Sequence, residues 1–326
     1  MGFFYSQLFA RLPYPTGSYA GKTIVITGSN VGLGKEAARH YVRLGASKMI
    51  LAVRNLEKGN AAKDGIESTT NCAQDIIEVW QLDMSSYASV QKFAARLSSE
   101  LGRVDIFHAN AGVAHVEYKL MEDNEGQITV NVVSTFLLAA LVMPKMKETA
   151  AKYNTRPTLT ITTSETHAWT PFNERHAPEG GIYDALNEQG KKDPNSLYWP
   201  SKLLEVFGVR SIAERNPAAG CPVTVNMVNP GYCRSELVRE LDTWVVWFLN
   251  TFMARSAEYG SRTLVHAGSA GVESNGKYLS DCQIDEPSAF VRSAEGKVTQ
   301  DRVWVELMGK LEAIKPGVTR NFCLSR

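Results

Sequence analysis

The sequence lacks the cysteine and histidine arrangements that mark disulfide-rich and metal-binding proteins. Its five cysteines are scattered, odd in number and never form a Cys-x-x-Cys pair. This distribution argues against a disulfide framework and a structural zinc site, and it favours a reducing compartment, so we expect a cytoplasmic protein. No set of histidine, cysteine and carboxylate residues has the spacing of metal ligands, and we expect no catalytic metal.

Blocks of like charge and long apolar runs are also missing. The chain has 35 Lys and Arg against 34 Asp and Glu, mixed along its 326 residues. We therefore expect no nucleic-acid partner. The longest internal apolar run, 136–144, suits a buried core helix, whereas a bilayer span takes about 20 apolar residues. Residues 1–19 read as an apolar N-terminal extension, and we expect it to be neither a secretory signal nor a stable membrane span.

Short β-branched runs alternate with segments of helical periodicity. Strands are predicted at 22–27, 48–53, 76–82, 104–108, 158–163 and 223–228, and helices at 34–44, 56–68, 86–101, 127–147 and 198–216. Nearly continuous apolar strands separated by helices indicate a parallel sheet covered on both faces. The sequence therefore predicts an α/β fold, a Rossmann-type doubly wound sheet, as a single domain over residues 20–326.

Two stretches interrupt this alternation, at 165–197 and 236–256. Both follow strands at their carboxyl ends, where open α/β sheets bind ligands, so we interpret them as enlarged substrate-binding insertions. For the second, a helix that packs on the core or on another subunit is the alternative. Aromatic residues in and beside the first insertion suggest a roomy pocket for a lipophilic ketone or alcohol: Trp169, Phe172, Tyr183 and Trp199.

A glycine-rich turn joins the first predicted strand to the first predicted helix. Its spacing is G-x-x-x-G-x-G, and the following helix N-terminus offers free N–H groups to a pyrophosphate. The candidate cofactor-binding residues here are Gly28, Ser29, Asn30, Gly32, Leu33 and Gly34.

The end of the second strand carries an arginine and no acidic residue. NAD-binding folds usually place Asp or Glu near this point for the ribose 2′-hydroxyl, whereas Arg54 is suited to a 2′-phosphate. The sequence therefore favours NADP(H) over NAD, with a plain surface arginine as the alternative.

Further motifs follow in a fixed order, and together they resemble the short-chain dehydrogenase/reductase superfamily over residues 20–236. They comprise the T-G-x-x-x-G-x-G turn, an acidic residue after the third strand, an N-A-G element, a helix asparagine, a serine, Y-x-x-x-K and a P-G-x-x-x-S segment. His108 stands where many members have a second asparagine. The segments AVRN and SKLLEVF are similar to retinol-dehydrogenase-like members, especially fungal ones of secondary metabolism.

The resemblance implies roles for individual residues. It assigns Asp83 and Met84 to adenine, and Asn110, Ala111 and Gly112 to the cofactor site. Pro230, Gly231, Cys233 and Ser235 would wrap the nicotinamide. The implied catalytic residues are Asn131, Ser164, Tyr198 and Lys202, of which Tyr198 and Lys202 also contact the cofactor.

The spacing of Tyr198 and Lys202 suits proton transfer. Residues four apart share a helix face, and Pro200 between them is tolerated only in a first turn, which puts Tyr198 at a helix start. A nearby ammonium would lower the tyrosine pKa, so that Tyr198 exchanges a proton with a carbonyl or alcohol. The resemblance implies that Ser164 bonds the substrate oxygen and that Asn131 organises a relay water.

These features predict an NADPH-dependent enzyme that interconverts a ketone and a secondary alcohol on a lipophilic small molecule. One alternative keeps the fold and cofactor but acts on an imine or assists a cyclisation. Another is a non-catalytic NADP-binding sensor. The family often pairs through helices equivalent to 127–147 and 198–216, so a homodimer or tetramer is expected, although the insertions could leave a monomer.

Overall fold

The computed structural model describes residues 3–115, 117–217, 220–234 and 253–322. In this part of the chain the strands β1 to β10 are Thr23–Thr27, Lys48–Val53, Ile77–Gln81, Ile106–Ala109, Leu120–Met121, Asn124–Glu125, Thr158–Thr162, Thr224–Asn229, Tyr278–Ser280 and Gln283–Asp285. The helices α1 to α10 are Phe3–Phe9, Gly32–Arg43, Leu56–Thr70, Tyr87–Glu100, Thr135–Tyr153, Ile182–Lys192, Tyr198–Arg215, Ala257–Ser269, Ala289–Arg292 and Ala294–Ile314.

Eight strands form one sheet in the order β10-β9-β8-β7-β4-β1-β2-β3. All neighbours are parallel except β10, which runs antiparallel to β9. From β1 the chain builds outward through β2 and β3 on one side and through β4, β7 and β8 on the other. The carboxyl ends of β1 and β4 therefore meet at the topological switch point, where such sheets bind ligands.

Both faces of the sheet are covered. The strands β1, β7 and β8 are buried at every position, as their unbroken apolar and threonine-rich runs predict. One apolar layer includes residues of α4, α5 and α7, and the other includes residues of α2, α3 and α8. The predicted single-domain, doubly wound α/β fold is confirmed.

The predicted helix 127–147 differs in detail from the observed one. It starts with a π-helical turn, Ile128–Ser134, and continues as α5 to Tyr153 with Pro144 inside it. The stretch Ile128–Tyr153 is long and apolar enough to cross a membrane, but 89% of its most apolar window is buried inside the protein. We therefore interpret it as a core helix, as the short apolar run 136–144 within it predicted.

The insertion 165–197 is more regular than the sequence indicated. It contains α6 and three short 3-10 turns, Glu165–Ala168, Asn173–His176 and Pro194–Leu197. The Ile182 N–H donates to a Glu306 carboxylate oxygen at 2.9 Å, so α10 supplies the polar group that caps α6. The insertion is thus partly core structure. Most of the second insertion, 236–256, lies outside the described residues.

Candidate active site

The glycine turn after β1 packs against the segment that follows β4. Asn110 Nδ2 donates to the Thr27 carbonyl at 3.0 Å, and the backbone N–H groups of Asn110 and Ala111 both donate to Thr27 Oγ1 at 2.9 Å. A Cβ atom on Gly28 would lie 2.9 Å from Ala111 Cα, and one on Gly34 would lie 2.7 Å from the Gly28 carbonyl oxygen. Because these two glycines have no Cβ atom, the glycine turn and the segment after β4 can pack in direct contact.

The other side of the turn is open. Gly32 has φ +58 and begins α2, and a Cβ there would meet no heavy atom within 4 Å among the described residues. Val31 caps α2 without a side-chain hydrogen bond, so the first N–H groups of the helix can receive a ligand. Asn30 and Leu33 are half-buried in the same turn, and Ser29 is buried. Open backbone donors at a helix N-terminus fit a cofactor pyrophosphate.

The adenosine side of the predicted cofactor site lies beyond β2 and β3. Arg54 is exposed and directly precedes Asn55, whose side chain caps α3, so a cation stands beside a helix N-terminus. This combination suits a phosphate group. Asp83 accepts hydrogen bonds from the Ser85 N–H at 2.9 Å and the Ser85 hydroxyl at 2.7 Å, and Met84 is buried behind it.

The predicted catalytic residues meet at the start of α7. The helix begins at Tyr198, and Pro200 occupies its first turn, as predicted, where a missing N–H costs no helical bond. Lys202 Nζ lies 5.6 Å from the centre of the Tyr198 ring. Ser164 lies two residues beyond the end of β7, where it caps the 3-10 turn Glu165–Ala168, and its hydroxyl interacts with the Tyr198 side chain. The structure thus brings Ser164, Tyr198 and Lys202 together.

Lys202 is almost completely buried and has two polar partners. Its Nζ donates to the Thr162 carbonyl at 3.0 Å and to Glu205 Oε1 at 2.8 Å. The side chains of Lys202 and Glu205 are only 6% and 2% exposed, so this ion pair is shielded from water. Sequence reasoning missed Glu205 because an acidic residue three positions after a lysine is usually a surface helix pair.

The pKa of Tyr198 is raised overall, whereas the sequence led us to expect that it would be lowered. Burial raises the pKa of Tyr198; Lys202 opposes this, whereas the Glu205 carboxylate reinforces it. Burial would lower the pKa of Lys202, but Glu205 and then Tyr198 raise it above its ordinary value. The prediction that Lys202 favours the phenolate was therefore right in sign and incomplete, because burial and Glu205 outweigh it here.

Asn131 links the segment after β4 to α7. From the π-helical turn its Oδ1 accepts from the Val113 N–H at 2.8 Å, and its Nδ2 donates to Ser201 Oγ at 3.0 Å. A Cβ on Gly112 would lie 3.3 Å from Asn131 Oδ1 and 3.5 Å from Lys202 Nζ. Asn131 and Lys202 therefore both lie next to Gly112. The role of Asn131 in a proton relay stays a prediction.

The loop after β8 is tied to the loop that carries Ser164. Asn229 Oδ1 accepts from the Glu165 N–H at 3.2 Å and from the Gly231 N–H at 3.0 Å. Gly231 has φ +77, which favours glycine. Cys233 is buried, and burial raises the pKa of its thiol to about 12, so it contributes volume and not reactivity. Ser235 lies outside the described residues.

The N-terminal extension braces this same loop. Gln7 Nε2 donates to the Tyr232 carbonyl at 2.7 Å and to the Met253 carbonyl at 2.8 Å, and Gln7 Oε1 accepts from the Tyr232 N–H at 3.0 Å. Arg255 Nη1 donates to the Pro230 carbonyl at 3.2 Å. Sequence reasoning missed Gln7 because its partners lie more than 220 positions away.

The four aromatic residues predicted to line the pocket divide into two pairs. Trp169 and Trp199 are 44% and 41% exposed and pack edge to face with ring centres 5.7 Å apart. Phe172 and Tyr183 are buried in the core, the first against Phe207. The prediction that Phe172 and Tyr183 face a substrate was wrong, because both fill space beneath the insertion.

Two histidines near the site have structural partners. His167 Nδ1 lies 2.7 Å from the Ser164 carbonyl, and its Nε2 accepts from the Ser288 N–H at 3.0 Å. His108 Nε2 lies 2.8 Å from Tyr41 Oη, and burial lowers the pKa of His108 to about 3. A base at either position is disfavoured.

Comparisons with known proteins agree with this geometry. The short chain dehydrogenase family model matches residues 22–153. The short chain dehydrogenase/reductase dmxR8 of Cryptosporiopsis sp. is 66% identical over 99% of this chain and 100% of its own length. The chain is a short-chain dehydrogenase/reductase. The short chain dehydrogenase atnD of Emericella nidulans is 46% identical over 85% of this chain and 90% of its own.

Solved structures share the fold of this short-chain dehydrogenase/reductase. A short-chain type dehydrogenase/reductase from Mycobacterium marinum superposes with a TM-score of 0.62 at 23% identity, over 81% of this chain and 94% of the other. The RhlG/NADP active-site complex of Pseudomonas aeruginosa gives a TM-score of 0.60 at 19% identity, over 81% and 95% of the two chains. These structures show the shared fold. The sequence matches show that the chain belongs to an oxidoreductase family that uses nicotinamide cofactors.

Proposed function

We propose that this short-chain dehydrogenase/reductase uses NADPH to reduce a ketone on a lipophilic small molecule to a secondary alcohol of defined stereochemistry. The observation that carries the proposal is the grouping of Ser164, Tyr198 and Lys202 at the carboxyl edge of the sheet that also bears the glycine turn. A hydrogen-bond donor, a proton donor and a cation together are the groups that carbonyl reduction needs.

The residues present fit a nicotinamide cofactor. The open N–H groups around Gly32 would hold the pyrophosphate, Arg54 a 2′-phosphate, and the segment after Gly231 the nicotinamide. When bound, the reduced nicotinamide supplies the hydride. NADP(H) is proposed over NAD because the exposed cation at Arg54 stands where a 2′-hydroxyl would require an acidic residue.

The chain's own residues then move the proton. Ser164 donates a hydrogen bond to the carbonyl oxygen and holds it beside Tyr198. Tyr198 gives its phenolic proton to that oxygen as negative charge develops on it, and Lys202 stabilises the phenolate left behind. Lys202 is fixed for this task by its hydrogen bond to the Thr162 carbonyl.

The two exposed tryptophans support the lipophilic substrate class. Trp199 directly follows Tyr198, and its ring contacts that of Trp169, which lies five residues after Ser164. Large exposed aromatic surfaces of this kind mark binding sites for apolar or aromatic groups. We propose an aromatic, terpenoid or polyketide-like substrate of secondary metabolism.

Turnover with a defined panel tests this proposal. Wild-type protein is given NADPH or NADH with aromatic, terpenoid-like and polyketide-like ketones, matched imines and small polar sugars, and the products are separated by chiral chromatography. We expect NADPH-dependent formation of one alcohol enantiomer from lipophilic ketones. A preference for polar sugars would overturn the substrate class, and turnover of imines alone would favour the imine alternative. NADPH binding without turnover of any compound would favour the sensor.

A further inference from the structure

Glu205 lies one helical turn beyond Lys202, on the buried side of α7. Its Oε1 accepts from Lys202 Nζ at 2.8 Å, and its side chain is 2% exposed. The second carboxylate oxygen, Oε2, is buried and makes no hydrogen bond of ordinary geometry among the described residues, although the Thr163 hydroxyl lies near the carboxylate. A carboxylate with one oxygen unsatisfied is costly in the protein interior, where an apolar residue of similar size would fill the same space. Packing alone therefore does not account for it.

The charge of Glu205 acts on Tyr198 through Lys202. An isolated Lys202 ammonium 5.6 Å from the Tyr198 ring would favour the phenolate strongly at low dielectric. The negative charge of the adjacent Glu205 carboxylate opposes that field and disfavours the phenolate, so Glu205 contributes to raising the pKa of Tyr198. Tyrosine can donate a proton to a ketone only while it is protonated.

Few groups other than Lys202 face Glu205 and could change the pKa of Tyr198. Among the described residues the groups that face Glu205 are Lys202 and Tyr198 on α7 and the Thr163 hydroxyl at the end of β7. The neighbouring π-helical turn contributes the uncharged Asn131. Helix α10 contacts α7 further along, where Arg210 Nε donates to Gln300 Oε1 at 2.9 Å. In the part of the chain that the structure describes, the charged groups that act on Tyr198 are thus Lys202 and Glu205.

We propose that Glu205 is a positioning residue that withholds part of the Lys202 charge from Tyr198 and thereby keeps the tyrosine protonated to higher pH, as ketone reduction requires. The inference rests on the proposed function for its catalytic meaning. The ionisation of Tyr198 can be measured without any turnover, which separates the two.

The first test follows the ionisation of Tyr198 directly. Protein labelled with 13C at the tyrosine ζ carbon is titrated by NMR, and the Tyr198 resonance is assigned by its absence in Tyr198→Phe. We expect Glu205→Gln to lower the Tyr198 pKa by on the order of one unit, since it removes a negative charge and keeps a hydrogen-bond acceptor for Lys202. Glu205→Asp, which keeps the charge, should restore most of the wild-type value.

A matched control lies on the same helix. Glu214 is partly exposed and pairs with Lys297 at 3.0 Å, so Glu214→Gln removes the same charge far along α7. It should leave the Tyr198 titration unchanged. Equal Tyr198 pKa values in wild type and Glu205→Gln would overturn the proposal, as would an equal shift in Glu214→Gln.

The second test uses activity. The alkaline limb of kcat/KM for ketone reduction should move to lower pH in Glu205→Gln by the same amount as the NMR titration, with the KM for ketone changed less than twofold. An unmoved limb with an unchanged profile shape would overturn the proposal. Absence of ketone turnover in wild type would instead count against the proposed function and leave the NMR test decisive.

A variant that fails to fold would not end the test. In wild type the Tyr198 ζ-carbon resonance should itself show a small step at the pH where Glu205 titrates, which 13C labelling of the glutamate δ carbon identifies. A Tyr198 resonance that is insensitive to that titration would contradict the proposal.

Discussion

The reacting centre depends on a few side chains in and beside the first turn of α7. Tyr198 and Lys202 could be placed at a helix start because the spacing of a tyrosine, a proline and a lysine restricts where a helix begins, whereas Ser164 was assigned through the family resemblance. Glu205 could not, since its burial follows from how α7 packs on β7 and not from any local pattern. Burial, reinforced by this unexpected carboxylate, reverses the expected direction of the Tyr198 pKa shift.

Arg54 is expected to determine the preference for NADPH over NADH. Arg54→Ala should raise the KM for NADPH by about 10- to 100-fold and leave that for NADH nearly unchanged, because a charged hydrogen bond to a 2′-phosphate is worth about 1.5–3 kcal/mol. Steady-state kinetics with both cofactors measures it. Lys92→Ala, which removes an exposed cation from α4, serves as the control and should change neither value. Equal losses with NADPH and NADH would argue against a 2′-phosphate contact.

The buried Glu205 also makes stability depend on pH. Burial, partly opposed by Lys202, raises the pKa of Glu205 from 4.5 to about 7, so the folded state holds this proton more tightly than the unfolded state. Its stabilising contribution is complete below about pH 4.5 and is lost as the pH rises through about 7. The free energy of unfolding of Glu205→Gln, relative to wild type, should therefore increase from pH 5 to pH 8. Urea unfolding at four pH values tests this, and a constant difference would refute it.

At the scale of elements, the glycine turn and the segment after β4 act as one unit. Gly34→Ala would place a Cβ 2.7 Å from the Gly28 carbonyl oxygen and 2.8 Å from Asn110 Nδ2. We expect a loss of about 1–3 kcal/mol in stability and at least tenfold weaker cofactor binding, because the turn must open to relieve the contact. Fluorescence titration with NADPH and thermal unfolding measure the two effects.

A glycine elsewhere provides the matched control. A Cβ on Gly309, in the middle of α10, would meet no heavy atom within 4 Å among the described residues. Gly309→Ala should stabilise the protein by about 0.5–1 kcal/mol and leave cofactor binding as it is. A Gly34→Ala protein that binds NADPH normally would show that the close approach at this turn is dispensable.

The order of elements was predictable, whereas two local structures were not. Apolar runs and glycine punctuation indicated β1 to β4, β7, β8 and most intervening helices. The π-helical turn Ile128–Ser134 has no periodic signature that separates it from an α-helix. In the insertion 165–197, proline and glycine hide the core positions Phe172 and Tyr183, whose burial depends on distant segments such as α10.

At the scale of the whole molecule, the N-terminal extension joins distant parts of the sheet edge. The Gln7 side chain hydrogen-bonds backbone groups of Tyr232, which lies in the loop after β8, and of Met253, which lies beside that loop. Ser6 Oγ donates to Asp281, which also accepts from Arg255 Nη2 at 2.7 Å. The extension is therefore integrated with the proposed nicotinamide side of the site.

Removal of the Gln7 side chain tests this integration. Gln7→Ala removes three hydrogen bonds, to two carbonyl groups and one N–H, so we expect a loss of about 1–3 kcal/mol in stability and a several-fold rise in the KM for NADPH. Leu8→Ala changes the neighbouring residue, which is 53% exposed, and should alter neither property. Equal behaviour of the two variants in thermal unfolding and kinetics would contradict the bracing role.

We propose that Tyr198 delivers the proton in an NADPH-dependent ketone reduction. Single-turnover absorbance measurements, with enzyme-bound NADPH and a lipophilic ketone accepted by the wild type, test it most directly in Tyr198→Phe. We expect NADPH affinity within about threefold of wild type and a reduction rate lowered by about 10²- to 10⁴-fold, the usual contribution of general acid catalysis. Reduction by Tyr198→Phe at the wild-type rate would contradict it.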